Sequence, residues 1–140
     1  MPAPFSGGCA CGAIRYECSA EPIVMGNCHC RDCQRSSGAG YSAAILVPAA
    51  SVKLLKGEAK YHSVKAASGR TARRGFCPDC GSPLFADNSS ASGMMAIKAA
   101  SLDDPSWFKP MADIWTASAQ PWDYMNPELM KFSKEPQMGS

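Results

Sequence analysis

Residues 75–85 read GFCPDCGSPLF. Cys77 and Cys80 are separated by Pro78 and Asp79, and Gly81 follows directly. A turn with glycine after its second cysteine lets backbone amides point at the sulfurs, which stabilises thiolate charge. This is the form of a zinc knuckle. A C-x-x-C motif also suits thiol–disulfide chemistry. Here the surrounding pattern is not βαβ, and other cysteine clusters lie in the same short chain, so metal binding is the favoured reading.

Working outward, the other clusters are Cys9-x-Cys11 and Cys28-x-Cys30-x-x-Cys33, the latter within GNCHCRDCQRSSG at residues 26–38; Cys18 stands alone. An even count of eight cysteines also fits a disulfide frame. Cysteines at such short gaps rarely bond to each other without strain, whereas their thiolates converge readily on one metal. Spacing permits two partitions. Cys30 and Cys33 can join Cys77 and Cys80 in a ribbon-like site, leaving Cys9, Cys11 and Cys28 idle. Alternatively, Cys9 and Cys11 join Cys77 and Cys80, and Cys28, Cys30 and Cys33 form a second site. The second partition is more economical, since it idles only Cys18, which fits as a small buried residue on its strand.

The two sites of that partition differ chemically. Zinc held by four thiolates is closed, carries a formal charge of about −2 and is structural. Zinc held by three carries about −1 and keeps a position free for water or substrate. Three thiolates donate strongly, so such a zinc acidifies water less well than one held by imidazoles, but it remains thiophilic. A thiol taken into that position is deprotonated near neutral pH and becomes a nucleophile.

The 140 residues suffice for one domain with a core. Hydrophobic residues at 46% and charged residues at 19% argue against disorder. A net charge of +2 is too small for a dedicated nucleic-acid binder. The N-terminal MPAPFSGGCACG lacks the basic and apolar regions of a signal peptide. The longest apolar run, GYSAAILVPAA at residues 40–50, is too short to span a membrane. The expectation is a reduced, cytoplasmic protein.

Eleven prolines and twelve glycines interrupt any long helical period. GAIRYECSA alternates, with Ile14, Tyr16 and Cys18 on one face, and predicts a strand. YSAAILVP predicts a buried strand ended by Pro48. VKLLKG and AKYHSVK predict two strands around a Gly57-Glu58 turn. TARRGFC, SPLFADN, MMAIKAA and ADIWT predict four more. SLDDPSWF suggests a helical turn capped by Ser101, and NPELMKF another. The sum is a mainly β sandwich or tent of short sheets in a single domain spanning residues 1–140, with its body at about 5–125, a C-terminal tail at about 126–140, and a flexible EPQMGS end.

Several other residues are candidates. His29 lies between two cysteines, but in an extended loop its side chain points away from both, which favours a supporting role over ligation. Arg31 and Arg35 flank the three-cysteine cluster and suit either substrate carboxylates or a solvated loop. Gln34, Ser36 and Ser37 are possible hydrogen-bond donors to substrate, with loop satisfaction as the plainer role. His62 reads as a surface residue. Arg70, Arg73 and Arg74 form the one basic cluster suited to phosphate, on a chain too nearly neutral to favour it. Trp107, Phe108, Trp115 and Trp122 are core candidates, with Trp115 or Trp122 also placed to line a pocket. A zinc deaminase is excluded, because no His-x-Glu or Cys-x-Glu precedes Cys77.

Together, GGCACGAIRYEC (7–18), NCHCRDCQRSSG (27–38), GFCPDCGSPLF (75–85) and ADIWTASAQPWD (112–123) resemble the glutathione-dependent formaldehyde-activating enzyme family, which includes centromere protein V. The resemblance implies an Mss4-like fold of short antiparallel sheets around two zinc ions. It implies a structural zinc on Cys9, Cys11, Cys77 and Cys80, and a more labile zinc on Cys28, Cys30 and Cys33. The implied activity is that of a carbon–sulfur lyase or synthase joining glutathione to formaldehyde. Asp113 departs from the family pattern, since many relatives carry histidine there. The alternatives are a zinc-stapled adaptor without catalysis, and a relative acting on another substrate through zinc-bound water.

Overall fold

The computed structural model describes residues 2–65, 69–88 and 93–135. Three strands form the smaller sheet: β1 (Phe5–Gly8), β2 (Arg15–Cys18) and β5 (Val52–Lys56), in the order β1-β2-β5 and antiparallel throughout. The larger sheet contains β3 (Val24–Cys28), β4 (Ser42–Pro48), β6 (Lys60–Lys65), β7 (Thr71–Phe76), β8 (Pro83–Asn88), β9 (Met94–Lys98), β10 (Ala112–Ile114) and β11 (Met130–Lys131). Their order is β11-β10-β3-β4-β9-β8-β7-β6. One helix, α1 (Arg31–Ser37), lies between β3 and β4 in the chain. The protein is mainly β, with antiparallel sheets carrying cysteine clusters, as an Mss4-like fold requires.

Strand alternation explains the core. In β2, Tyr16 and Cys18 are fully buried while Glu17 is exposed. Across the larger sheet, Ile45 pairs with Ile97, and Ile97 with Phe85, so all three share one face. That face packs on β2, with Tyr16 and Phe85 meeting edge to face at 5.2 Å. Ile14, Val47 and Leu84 complete the same buried cluster. Each such side chain contributes about 1.5–3 kcal/mol through burial. Tyr16 also needs a polar partner inside, and its hydroxyl lies 2.6 Å from Ser101 Oγ.

Several expectations are corrected. VKLLKG and AKYHSVK do form strands around Gly57, but β5 joins β2 in one sheet and β6 joins β7 in the other. Gly57 is therefore a crossing between sheets, at φ 71° against the backbone of Ala13. The turn in SLDDPSWF is a 3-10 turn at Pro105–Trp107 capped by Asp104, whose carboxylate accepts from Ser106 N at 3.0 Å. Ser101 instead donates to Lys98 O. NPELMKF ends in β11, which pairs in parallel with β10. β10 pairs in parallel with β3 as well, so the larger sheet is mixed at this edge. Trp107 packs on Phe5, but Trp122 is 69% exposed. Apart from Glu135, the EPQMGS end lies outside the described residues. No helix among the described residues is long and apolar enough to cross a membrane.

Candidate metal centres

The folded chain brings Cys9, Cys11, Cys77 and Cys80 together, with their sulfurs within 4.8 Å of one another. Cys9 and Cys11 sit on the turn between β1 and β2; Cys77 and Cys80 sit on the turn between β7 and β8. The sulfurs of Cys9 and Cys11 are 3.6 Å apart, and those of Cys11 and Cys77 are 3.7 Å apart. Tetrahedral zinc with Zn–S bonds of about 2.3 Å requires sulfurs about 3.8 Å apart, so this set fits the ion. Amide hydrogens surround the site. Ile14 N donates to Cys9 Sγ at 3.2 Å, and Asp79 N and Cys80 N donate to Cys77 Sγ at 3.4 and 3.5 Å. Gly81, at φ 78°, closes the knuckle without the strain a side chain would add. The thiols oppose one another in acidity. The Ser82 hydroxyl and amide pull Cys80 down to about 5. The Ala13 amide favours the Cys11 thiolate, but Cys9, burial and the other sulfurs together push it up to about 12. A divalent cation lets all four ionise together.

Cys28, Cys30 and Cys33 form the second group, their sulfurs also within 4.8 Å of one another. Cys28 ends β3, and α1 supplies the rest of the geometry. Cys30 is its N-cap: the sulfur accepts from Cys33 N at 3.3 Å, which turns the chain into the helix and brings Cys33 back over Cys30. Gly38 ends the helix in the left-handed conformation. The loop expected from sequence is thus a helix of seven residues, and the cysteine cap explains why its start was not legible from the usual Ser, Thr, Asp and Asn signals. Hydrogen bonds from Cys28 and Cys30 lower Cys33 to about 2, with Lys98 and Arg74 assisting, while Cys30 and Cys33 push Cys28 up. Three clustered sulfurs with opposed acidities again suit a metal.

His29 is not a fourth ligand. The ring is 1% exposed, its Nδ1 faces Asp123 Oδ2, and its Nε2 lies 2.8 Å from Asp113 Oδ1. Carboxylates only accept, so this arrangement suits a ring donating from both nitrogens. Asp113 is also approached by Asn27 Nδ2 at 3.3 Å and Lys131 Nζ at 3.0 Å. Burial alone raises the Asp113 pKa, but the hydrogen bonds from His29, Lys131 and Asn27 outweigh it and hold it below the ordinary carboxylate range. Among the described residues, no fourth cysteine, histidine or carboxylate joins the three sulfurs.

The remaining candidates separate. Gln34 is buried, donating from Nε2 to His29 O at 2.7 Å and Ser118 O at 3.0 Å. Its Oε1 accepts from Arg31 and from Gln120. Arg35, in the last turn of α1, is exposed. Ser36 and Ser37 bond to helix carbonyls, and His62 is an exposed residue of β6. The arginines of β7 and the Arg70 before it do not act as one patch. Arg73 pairs with Asp87 at 2.6 Å, Arg70 pairs with Glu135 at 2.8 Å, and Arg74 reaches Cys33 Sγ at 3.5 Å. Sequence reasoning named Arg74 only as part of a basic cluster and passed over Lys98, and it placed neither beside the three-cysteine site. Strand register was the signal that could have found them, but it needs the pairing partners. Cys18 is fully buried, with its thiol near Ser51 Oγ and Ala20 O. A cleft of about 660 Å³ is lined by residues including Cys9, Ser36, Tyr41, Ser42 and Lys98.

The model of the glutathione-dependent formaldehyde-activating enzyme family matches residues 4–118. Among solved structures, a crystal structure of a Rhodobacter sphaeroides protein, a structural-genomics target, aligns with a TM-score of 0.59 at 17% identity. The alignment covers 91% of this chain and 99% of that one, and at this identity it speaks for the fold alone. The family is named for activating formaldehyde with glutathione. With the family model covering both cysteine groups and the paired Asp113, the chain belongs to the glutathione-dependent formaldehyde-activating enzyme family.

Proposed function

We infer that the chain is a zinc-dependent carbon–sulfur lyase or synthase, joining a glutathione-like thiol to formaldehyde or another small carbonyl. In the forward direction the thiol gives up its proton, the sulfur attacks the carbonyl carbon, and the carbonyl oxygen takes a proton. The product is a hemithioacetal, the S-hydroxymethyl adduct when the carbonyl is formaldehyde, and the reverse reaction cleaves the same bond. One observation carries the reading: Cys28, Cys30 and Cys33 are gathered without a fourth protein ligand among the described residues, and both nitrogens of His29 are engaged elsewhere.

Zinc held by these three sulfurs supplies, when bound, a thiophilic open position that favours the ionised form of an incoming thiol. The protein's own residues do the positioning. α1 holds Cys30 and Cys33 in register, and Gln34 ties that helix to the backbone of Ser118. Arg35 is free on the helix surface to meet a substrate carboxylate, while Arg31 is partly engaged by Gln34. Cys9, Cys11, Cys77 and Cys80 would hold a structural zinc between the two sheets, for two ions per chain.

The test is NMR exchange spectroscopy of formaldehyde and glutathione, with and without the protein at matched zinc. Faster exchange with the protein is expected. An exchange rate unchanged by the protein removes the formaldehyde–glutathione activity and leaves the adaptor and the other-substrate readings.

A further inference from the structure

Strand register places four polar side chains on one face of the larger sheet. Arg74 pairs with Ala86, and Ala86 with Ala96, so these share a face. Lys98 lies two residues beyond Ala96 and pairs with Ala44; Ser42 lies two residues before Ala44 and pairs with Cys28. Cys28, Ser42, Lys98 and Arg74 therefore all project from the face opposite the apolar core.

Lys98 is buried, and Arg74 is half-buried with its Nε out of reach of water. Lys98 is 8% exposed, and its Nζ donates to Ser42 Oγ at 2.7 Å. Burial lowers its pKa, while Cys33, Cys28 and Cys30 act in the opposite direction. Arg74 donates from Nη2 to Cys33 Sγ at 3.5 Å, and its Nε is buried without a hydrogen-bond partner among the described residues. A buried lysine and a buried unpaired guanidinium N–H are costly unless something anionic sits beside them. The four-sulfur group, by contrast, is met by backbone amides and the neutral Ser82 hydroxyl.

Charge decides what the two cations are for. Three thiolates and a divalent metal sum to about −1, which one cation would balance. Arg74 and Lys98 supply two, leaving an excess of positive charge. Asp32 also acts on Arg74, but from a partly solvated position in α1. A neutral fourth ligand leaves the excess in place, and an anionic one removes it.

We propose that Arg74 and Lys98 select an anionic fourth ligand over a neutral one for the site of Cys28, Cys30 and Cys33. This rests on reading that site as an open metal centre. Lys98 and its hydrogen-bond partner Ser42 also line the cleft.

The test uses the full chain loaded with cobalt(II), whose visible and sulfur-to-metal charge-transfer bands report a new ligand directly. It is titrated at fixed pH with 2-mercaptoethanol, with thiocyanate and with imidazole. Lys98→Met and Arg74→Gln are each expected to weaken both anions by about tenfold or more while leaving imidazole unchanged. Lys98→Arg is expected to restore anion binding. Variants that bind anions as tightly as the wild type overturn the proposal while leaving the thiol-binding function intact. Equal weakening of anions and imidazole also overturns it, since that is what a merely structural role predicts. Thiocyanate binding without thiol binding in the wild type upholds anion selection and removes the lyase reading. Failure of all three probes to bind the wild type overturns both.

Discussion

His29 Nε2 lies 2.8 Å from Asp113 Oδ1, and both side chains are 1% exposed. The pair links β10 to the short connection between β3 and α1, where Cys28 and Cys30 stand on either side of His29. Asp123 faces the other ring nitrogen and Lys131 faces the other oxygen of Asp113. Two carboxylates and one imidazole thus meet in a buried row, which the exposed Lys131 ammonium closes at its outer end. Asp113 is here a fixed support of the three-sulfur loop.

Asp113→Asn removes a charge-assisted bond from this row and is expected to cost about 1–3 kcal/mol, read as a lower thermal midpoint at neutral pH. The pH dependence has a definite sign. The Asp113 carboxyl is depressed in the folded state, so its contribution is fully present above the unfolded value of about 3.9 and is lost as pH falls through the folded one. The midpoint difference between wild type and variant should therefore be constant above about pH 5 and shrink below about pH 4. A difference that grows on acidification contradicts the assignment.

The two cysteine groups should respond differently to mutation. Cys77 is fully buried and joins the two sheets through the four-sulfur group. Cys77→Ser is expected to lower the thermal midpoint by more than about 10 °C, because metal binding there is folding energy. Cys30→Ser empties the three-sulfur site, yet serine keeps an N-cap acceptor for Cys33 N, so the helix start survives. Metal analysis and thermal melts of both variants check this, and equal loss of stability counts against a division of roles.

Gly57→Ala tests the crossing between sheets. The glycine has φ 71°, and a Cβ there would lie 2.2 Å from Ala13 O. Strain and clash together should cost about 2 kcal/mol or more. Because Ala13 follows the Cys9–Cys11 turn, the variant should also release metal from the four-sulfur group faster under chelator challenge. Unchanged release kinetics would separate this crossing from the metal site.

The strands and the cysteine clusters were legible because their information is local. Alternation around Tyr16 marked β2, Pro48 marked the end of β4, and the Cys77 knuckle carries its own glycine. What stayed hidden depended on pairing between distant segments. Nothing near Gly57 says that β5 and β6 part company, and nothing near Arg74 says that it turns toward Cys33 while Arg73 turns toward Asp87. His29 was placed away from its neighbouring sulfurs by strand geometry alone. Its partners, Asp113 and Asp123, lie some 84 and 94 residues further along the chain, beyond any local pattern. α1 escaped notice because a cysteine caps it.

Cadmium NMR of the protein loaded at both sites tests the central claim most directly, since the cadmium resonance moves with each sulfur it gains. Two resonances are expected, one from the four-sulfur group and one from Cys28, Cys30 and Cys33. Adding glutathione should shift the second toward the first and leave the first unmoved. A second resonance that stays in place, or one already at the four-sulfur position before glutathione is added, would contradict an open site that takes its last ligand from the substrate.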